Sequence, residues 1–108
     1  MAFKKLVPEF KDRWIKALRN GEYTQWRGNL RYGNSFCCLG VACDISALGR
    51  WSGEEFQCAD GEFSLISVPR LVREAINLDM SVNYSLAKKN DSGKWDFKRI
   101  ARWISRYL

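Results

Sequence analysis

The sequence predicts a single α+β domain covering residues 1–108, in which about four helices pack around a short antiparallel β-sheet. Three observations indicate this class. The length suits one domain. Hydrophobic residues make up 46% of the chain and aromatic residues 14%, which is enough for one modest core. The spacing of the apolar residues changes repeatedly between a helical and an extended period.

The first predicted helix covers residues 8–20. Pro8 suits a first helical turn, where its missing N–H group costs nothing. Gly21 is a typical stop signal after a helix. The apolar residues on one face at helical spacing are Phe10, Trp14, Ala17 and Leu18. The basic residues between them leave the opposite side of this helix positively charged.

Residues 22–36 favour extended structure, because aromatic and β-branched residues alternate with turn-like glycines. We expect a short irregular hairpin or looped strands there. Residues 37–48 are apolar or small at nearly every position, which predicts a central helix that is buried on most sides. A buried strand over residues 35–41 is the second choice for the start of this segment.

The second half of the chain is predicted to contain a hairpin followed by two helices. Two strand-like runs flank the turn signal Asp60-Gly61. A helix is predicted over residues 69–77, and residues 81–94 are predicted to form a loop around a short element. The last predicted helix covers residues 96–107, and its apolar stripe consists of Phe97, Ile100, Ala101, Ile104 and Leu108.

Three of the four cysteines fall between Cys37 and Cys43, and the fourth is Cys58. A zinc site would normally show paired CxxC units or accompanying histidines. A disulfide needs an oxidising compartment, and a nucleophile needs a stabilised thiolate. The apolar flanks favour a fourth interpretation, in which these cysteines pack as small hydrophobic residues.

The charge is unevenly distributed around a net value of +6. Residues 1–33 carry eight basic and three acidic side chains, and residues 69–108 carry nine and four. Residues 34–68 carry one basic and five acidic side chains. The basic ends either attract phosphates, nucleic acid or an acidic protein, or simply form solvated helix faces.

The chain contains no histidine. Catalysis by a Ser-His-Asp or Cys-His arrangement within one chain is therefore excluded. Glu54 and Glu55 are adjacent and so do not share a helical face, and Asp60 belongs to a turn, so no carboxylates pair convincingly for acid–base chemistry. The P-loop and dinucleotide-binding glycine patterns are absent. We therefore expect a protein that is not an enzyme and that holds no metal and no cofactor.

Polar residues between the predicted elements are the candidate binding residues. Arginine forks suit phosphates and carboxylates, aromatic rings offer stacking faces, and a glutamine can both donate and accept. A second cluster lies in residues 88–93, where the alternative is a turn that caps the last helix. The predicted partner-binding residues are Arg19, Tyr23, Gln25, Arg27, Arg31, Asn90 and Asp91.

Much of the chain resembles a family of small bacteriophage and prophage proteins. The residues that carry the resemblance are Trp14, Ala17-Leu18-Arg19, Gly21, Tyr23, Gln25, Leu30-Arg31 and Phe36 to Val41, and near the other end Asn90-Asp91 with Phe97, Ile100 and Ala101. The Phe-Cys-Cys-Leu-Gly-Val core is the most specific part. The stretch Ala87 to Asp91 departs from the family pattern, which has an apolar residue just before Asn-Asp.

The resemblance implies a phage accessory protein that binds and inhibits a host defence component, by anti-CRISPR action or by sequestering a nucleotide immune signal. The expected partner is a host defence protein, a nucleotide-type signal or nucleic acid, and the expected location is the host cytoplasm. The alternative is a basic module that binds phage or host DNA, and a cysteine-dependent enzyme is a weaker third. No apolar run approaches the roughly 18 residues of a membrane span, so we expect no membrane contact. We also expect no secretory leader in residues 1–10.

Overall fold

The computed structural model describes residues 3–108. The expectation of no secretory leader concerns residues 1–10, and Met1 and Ala2 of these lie outside the described residues. Five helices and six short strands are found in residues 3–108. The helices are α1 Pro8–Arg19, α2 Cys38–Ser46, α3 Arg70–Ile76, α4 Met80–Asp91 and α5 Phe97–Tyr107. The strands are β1 Thr24–Gln25, β2 Arg31–Tyr32, β3 Ser35–Phe36, β4 Gly49–Ser52, β5 Glu55–Cys58 and β6 Phe63–Ser64.

The predicted α+β class is confirmed, and the four predicted helices correspond to α1, α2, α3 and α5. The prediction of a loop around a short element in residues 81–94 is wrong, because α4 is a regular helix of 12 residues. Its buried residues are Val82, Asn83, Leu86 and Asn90. Two of these four are asparagines, so the helical spacing of apolar residues, which normally indicates a helix, is weak here.

The strands form two three-stranded sheets rather than one. In the first sheet β3 lies between β1 and β2, pairing parallel with β1 and antiparallel with β2. In the second sheet β5 pairs antiparallel with β4 and with β6. The hairpin predicted around Asp60-Gly61 is confirmed as the turn between β5 and β6.

Helix α2 lies at the centre of the core, and its residues from Cys38 to Cys43 are all buried. Gly40 is needed there, because a Cβ atom at this position would lie 1.9 Å from the backbone oxygen of Leu30. That same oxygen accepts a hydrogen bond from the backbone N–H of Cys37 at 3.0 Å. The loop before β2 is therefore held directly against the start of α2.

Helix α5 packs against α1 through its apolar stripe and turns its basic side outward. Phe97, Ile100, Ala101 and Ile104 are buried, as predicted. Asp96 caps the helix, since its Oδ1 accepts a hydrogen bond from the backbone N–H of Arg99 at 2.8 Å. None of the helices between residues 3 and 108 is both long and apolar enough to cross a membrane.

Candidate functional site

A positively charged surface surrounds the exposed side of α5. We call it the basic face, and it consists of Arg27, Lys94, Lys98, Arg99, Arg102 and Arg106. The first five of these residues line a depression of about 420 Å³ together with Gly93 and Asp96. Arg99 and Arg102 also line a second depression of about 200 Å³, with Trp95, Trp103, Arg106 and Tyr107. The two depressions are therefore adjacent parts of one surface.

Aromatic rings hold several cations beside this surface. The guanidinium carbon of Arg99 lies 4.1 Å from the centre of the Trp95 ring. The Nζ atom of Lys89 lies 5.3 Å from Trp95 and 4.6 Å from Trp103. A cation that packs on a ring loses less side-chain freedom when it binds an anion, because part of that freedom is already lost.

The side chains of the basic face are chemically suited to binding anions. Arginine forks form paired hydrogen bonds with phosphate oxygens, and lysines add point charges. Asp96 also lines the first depression, but one oxygen of its carboxylate is engaged by the backbone at the start of α5. No cysteine lines the two depressions, and Asp96 is their single carboxylate.

Three of the predicted binding residues come together in a hydrogen-bonded network next to the basic face. Gln25 Nε2 donates to Asn90 Oδ1 at 3.0 Å and to the backbone oxygen of Trp95 at 2.9 Å. Asn90 Nδ2 donates to the backbone oxygen of Trp26 at 2.8 Å. Asp91 Oδ1 accepts from the backbone N–H of Gly28 at 2.9 Å. These contacts fix the loop that carries Arg27 against the end of α4.

Tyr23 and Arg31 belong to a different cluster. The Tyr23 hydroxyl donates to Asp44 Oδ2 at 2.5 Å, and Trp51 Nε1 donates to Asp44 Oδ1 at 3.0 Å. Partial burial, together with the hydrogen bond to Asp44, raises the pKa of Tyr23. The Arg31 guanidinium lies 5.5 Å from the ring centres of both Phe36 and Trp51. Its Nε donates to the backbone oxygen of Gly33 at 2.8 Å, so Arg31 is engaged within its own sheet.

Arg19 joins the surroundings of α5 from another side. It lines a depression of about 290 Å³ with Tyr23, Gln25 and Lys98, and Lys98 is shared with the basic face. The structure thus brings Arg19 and Arg27 next to α5. The prediction of binding residues omitted Lys94, Lys98, Arg99, Arg102 and Arg106, although the basic side of the last helix and the tryptophans at 95 and 103 were visible in the sequence.

The cysteines are core residues, as the sequence indicates. All four are buried free thiols, and Cys37, Cys38 and Cys43 line up along the start and inner side of α2. Burial raises the pKa of Cys37 to about 11 and raises the pKa values of Cys38 and Cys43 strongly. Cys37 also caps α2, because its Sγ accepts a hydrogen bond from the backbone N–H of Gly40 at 3.3 Å. Across residues 3–108, no group of three or more metal-ligating side chains is placed to hold an ion.

The geometry defines a small α+β domain with a cationic surface that carries aromatic side chains. A model of the family described as a domain of unknown function, DUF8296, matches residues 6–79, so the chain belongs to this family. No curated protein and no solved structure matches the chain. The matched stretch runs from α1 to α3 and includes Arg27, whereas the rest of the basic face follows it.

Proposed function

We propose that this is a non-enzymatic binding protein whose basic face contacts the phosphates of nucleic acid. The observation that carries the proposal is the pair of adjacent depressions that share Arg99 and Arg102, with Arg99 packed on Trp95. Clustered cations next to aromatic rings are typical of surfaces that bind nucleic-acid backbones. The net charge of +6 adds long-range attraction for such a partner.

The spread of the cations favours a polymer over a small nucleotide. The 11 residues of α5 span about 16 Å, and basic residues of the face occur from one end of this helix to the other. A small nucleotide would normally sit in an enclosed pocket with a few convergent polar groups. A row of exposed cations instead matches the regular spacing of phosphates along a strand.

The phage resemblance suggests what such binding is for. We propose that the protein acts in the host cytoplasm, where it inhibits a host defence component that carries nucleic acid. Sequestration of a nucleotide immune signal is the alternative within the same counter-defence role. Affinity purification from infected host lysate tests both, if the recovered nucleic acids and nucleotides are analysed. Recovery of one defined nucleotide without nucleic acid would contradict the proposal in its first form.

The binding itself is tested with a pair of matched double variants. Arg99→Gln with Arg102→Gln removes two charges from the basic face, whereas Arg50→Gln with Arg70→Gln removes two exposed charges elsewhere. Affinity for a labelled DNA duplex and for a labelled single strand is measured by fluorescence anisotropy at several salt concentrations. We expect the first variant to weaken binding at least tenfold, about 1.4 kcal/mol, and the second to change it by less than about twofold.

Salt dependence gives a second readout of the same experiment. Each neutralised phosphate contributes a slope of about −0.9 to the plot of log affinity against log salt for duplex DNA. The variant with Arg99→Gln and Arg102→Gln loses two cations, so its slope should be shallower by about two of these contributions. The control variant should keep the wild-type slope. Equal losses in the two variants would show that net charge alone governs binding, and no measurable binding by the wild type would end the nucleic-acid proposal. Arg31→Gln is included because the sequence predicts a binding role for this residue.

A further inference from the structure

A group of large apolar side chains is exposed at a distance in sequence from the basic face. Phe63, Leu65 and Ile66 follow one another in and after β6, and their exposed fractions are 62%, 48% and 66%. Tyr84 on α4 is 58% exposed. We call these four residues the apolar patch. Three of them lie within residues 63–66, and Ile66 and Tyr84 line the same cavity. Grouped exposed apolar side chains of this size are typical of a surface that a macromolecular partner covers.

A cavity of about 270 Å³ borders the apolar patch at Ile66 and Tyr84. Its walls come from the β1–β2 connection, the turn after β6 and one side of α4, and two of its residues, Ile66 and Tyr84, belong to the apolar patch. The lining residues are Gly28, Ile66, Ser67, Asn83, Tyr84, Ala87 and Asp91. The lining is therefore mainly apolar and contains one charged side chain, the carboxylate of Asp91.

Asn83 in the wall of this cavity has an unsatisfied donor. The side chain is completely buried, and its Oδ1 accepts a hydrogen bond from the backbone N–H of Val68 at 3.1 Å. Its Nδ2 has no hydrogen-bond partner among the residues that the structure describes. Rotating the amide by half a turn would not help, because Nδ2 would then face the Val68 donor. The Nδ2 atom is itself sealed from solvent, so this donor lies behind the cavity wall and a ligand in the cavity would not reach it unless the wall moved.

Asp91 supplies a fixed negative charge at the rim. Its Oδ1 accepts from the backbone N–H of Gly28 at 2.9 Å and from Asn90 Nδ2 at 3.2 Å, so the position of the carboxylate is set by two donors. The residue itself is exposed. A cationic head group bound here would form a charge-assisted hydrogen bond, whereas a phosphate would be repelled.

We propose that this cavity binds an arginine side chain presented by a protein partner. The aliphatic stem would pack on Ile66 and Ala87, and the guanidinium would face Asp91 and the Tyr84 ring. A partner of protein class is favoured because the apolar patch extends beyond the cavity and needs a larger surface to cover it. Arginine anchors in a central pocket with apolar surroundings are common at such interfaces. The cavity is a separate depression from the two on the basic face, although Gly28 in its wall is the chain neighbour of Arg27.

The probe for the test is acetyl-arginine amide, with acetyl-citrulline amide as its uncharged analogue of nearly equal shape. Binding is followed by NMR on isotope-labelled protein, where the Asn83 side-chain NH₂ signals report on the wall of the cavity. We expect the arginine probe to shift the signals of Asn83, Ser67 and Ala87 in a saturable way. We expect the citrulline probe to bind at least tenfold more weakly.

Two matched variants test whether the negative charge of Asp91 is needed to bind the arginine probe. Asp91→Asn keeps the oxygen that accepts from Gly28 but removes the charge, and it should weaken the arginine probe at least tenfold. Asp60→Asn makes the same change in the β5–β6 turn and should leave affinity within twofold. The NMR spectrum of each variant shows whether it is folded.

Equal binding of the two probes, undiminished binding to Asp91→Asn, or shifts that map to α5 instead would each overturn the proposal. If the Ile66 and Tyr84 signals shift with protein concentration alone, the patch is covered by a second copy of the chain, and the assignment of an arginine-bearing partner is likewise wrong.

Discussion

Asn90 connects three parts of the chain through one fully buried amide. Its Oδ1 accepts from Gln25 Nε2 and from the backbone N–H of Cys38 at 3.1 Å, residues that are 65 and 52 positions away in the sequence. Its Nδ2 donates to the backbone of Trp26. The sequence singles out Gln25 and Asn90 as unusual polar residues, but it cannot show that they bond to each other, because pairing across such separations depends on the finished fold.

We predict that Asn90→Ala strongly destabilises the protein. The substitution leaves the buried Cys38 N–H and the Trp26 oxygen without this partner, and Gln25 Nε2 keeps only its bond to the Trp95 oxygen. We expect a loss of about 2–5 kcal/mol in the free energy of unfolding, measured by denaturant titration. Asn34→Ala, at an exposed position in the β2–β3 turn, should change stability by less than about 0.5 kcal/mol. Similar losses in the two variants would show that the network contributes little.

Helices α4 and α5 differ in how clearly the spacing of apolar residues predicts them. In α5 every buried position is apolar, so the helical period is unmistakable. In α4 two buried positions are asparagines that bond to backbone groups of other segments, Val68 in one case and Trp26 in the other. Their role is to satisfy distant donors and acceptors, and this requirement replaces the apolar pattern. The sequence therefore predicts α5 within a residue at either end but misses α4.

The orientation of α5 gives the second prediction. Ile104 is completely buried, whereas Arg102 is exposed two residues earlier. Ile104→Asp would place an unpaired charge in the core, and we expect it to cost about 4 kcal/mol or to unfold the domain. Arg102→Ala should cost less than about 0.5 kcal/mol. Thermal melts of the two variants provide the measurement, and equal shifts would mean that the buried side of the helix is assigned wrongly.

The distribution of charge over the folded molecule is only partly predictable from the sequence. Basic ends around an acidic middle are evident from the order of residues, and they predict a cationic surface somewhere. The fold determines which basic side chains lie next to one another. The turn at Gly28 carries Arg27 to α5, while β2 carries Arg31 to the aromatic rings of Phe36 and Trp51. Two arginines four positions apart thus end in different environments.

The buried thiols give a prediction for the stability of the whole domain at alkaline pH. Burial raises the pKa of Cys37 from 9.0 to about 11, and it raises those of Cys38 and Cys43 strongly. Above pH 9 the unfolded chain releases these protons, but the folded chain keeps them. The contribution of these thiols to the free energy of unfolding is therefore fully present below pH 9 and is lost as the pH rises, for Cys37 between about pH 9 and 11.

A variant separates this effect from the titration of other groups. Cys43→Ala removes one buried thiol whose pKa is raised by burial, so the stability of the variant should fall less steeply than that of the wild type as the pH rises above 9. Urea titrations at several pH values measure the two slopes. If the wild type and the variant have the same slope, Cys43 does not titrate differently in the folded and unfolded chains.

The two ends of the described chain meet beside the basic face. The backbone N–H of Leu6 donates to the backbone oxygen of Leu108 at 3.0 Å, and the Phe3 ring lies 5.4 Å from the Trp103 ring. Trp103 itself lines the second depression of that face. An acidic segment joined at Leu108 would therefore lie next to the cations and would compete for them with the nucleic acid that we propose as the partner. A long neutral spacer at this position would keep such a segment away from the basic face when affinity is measured.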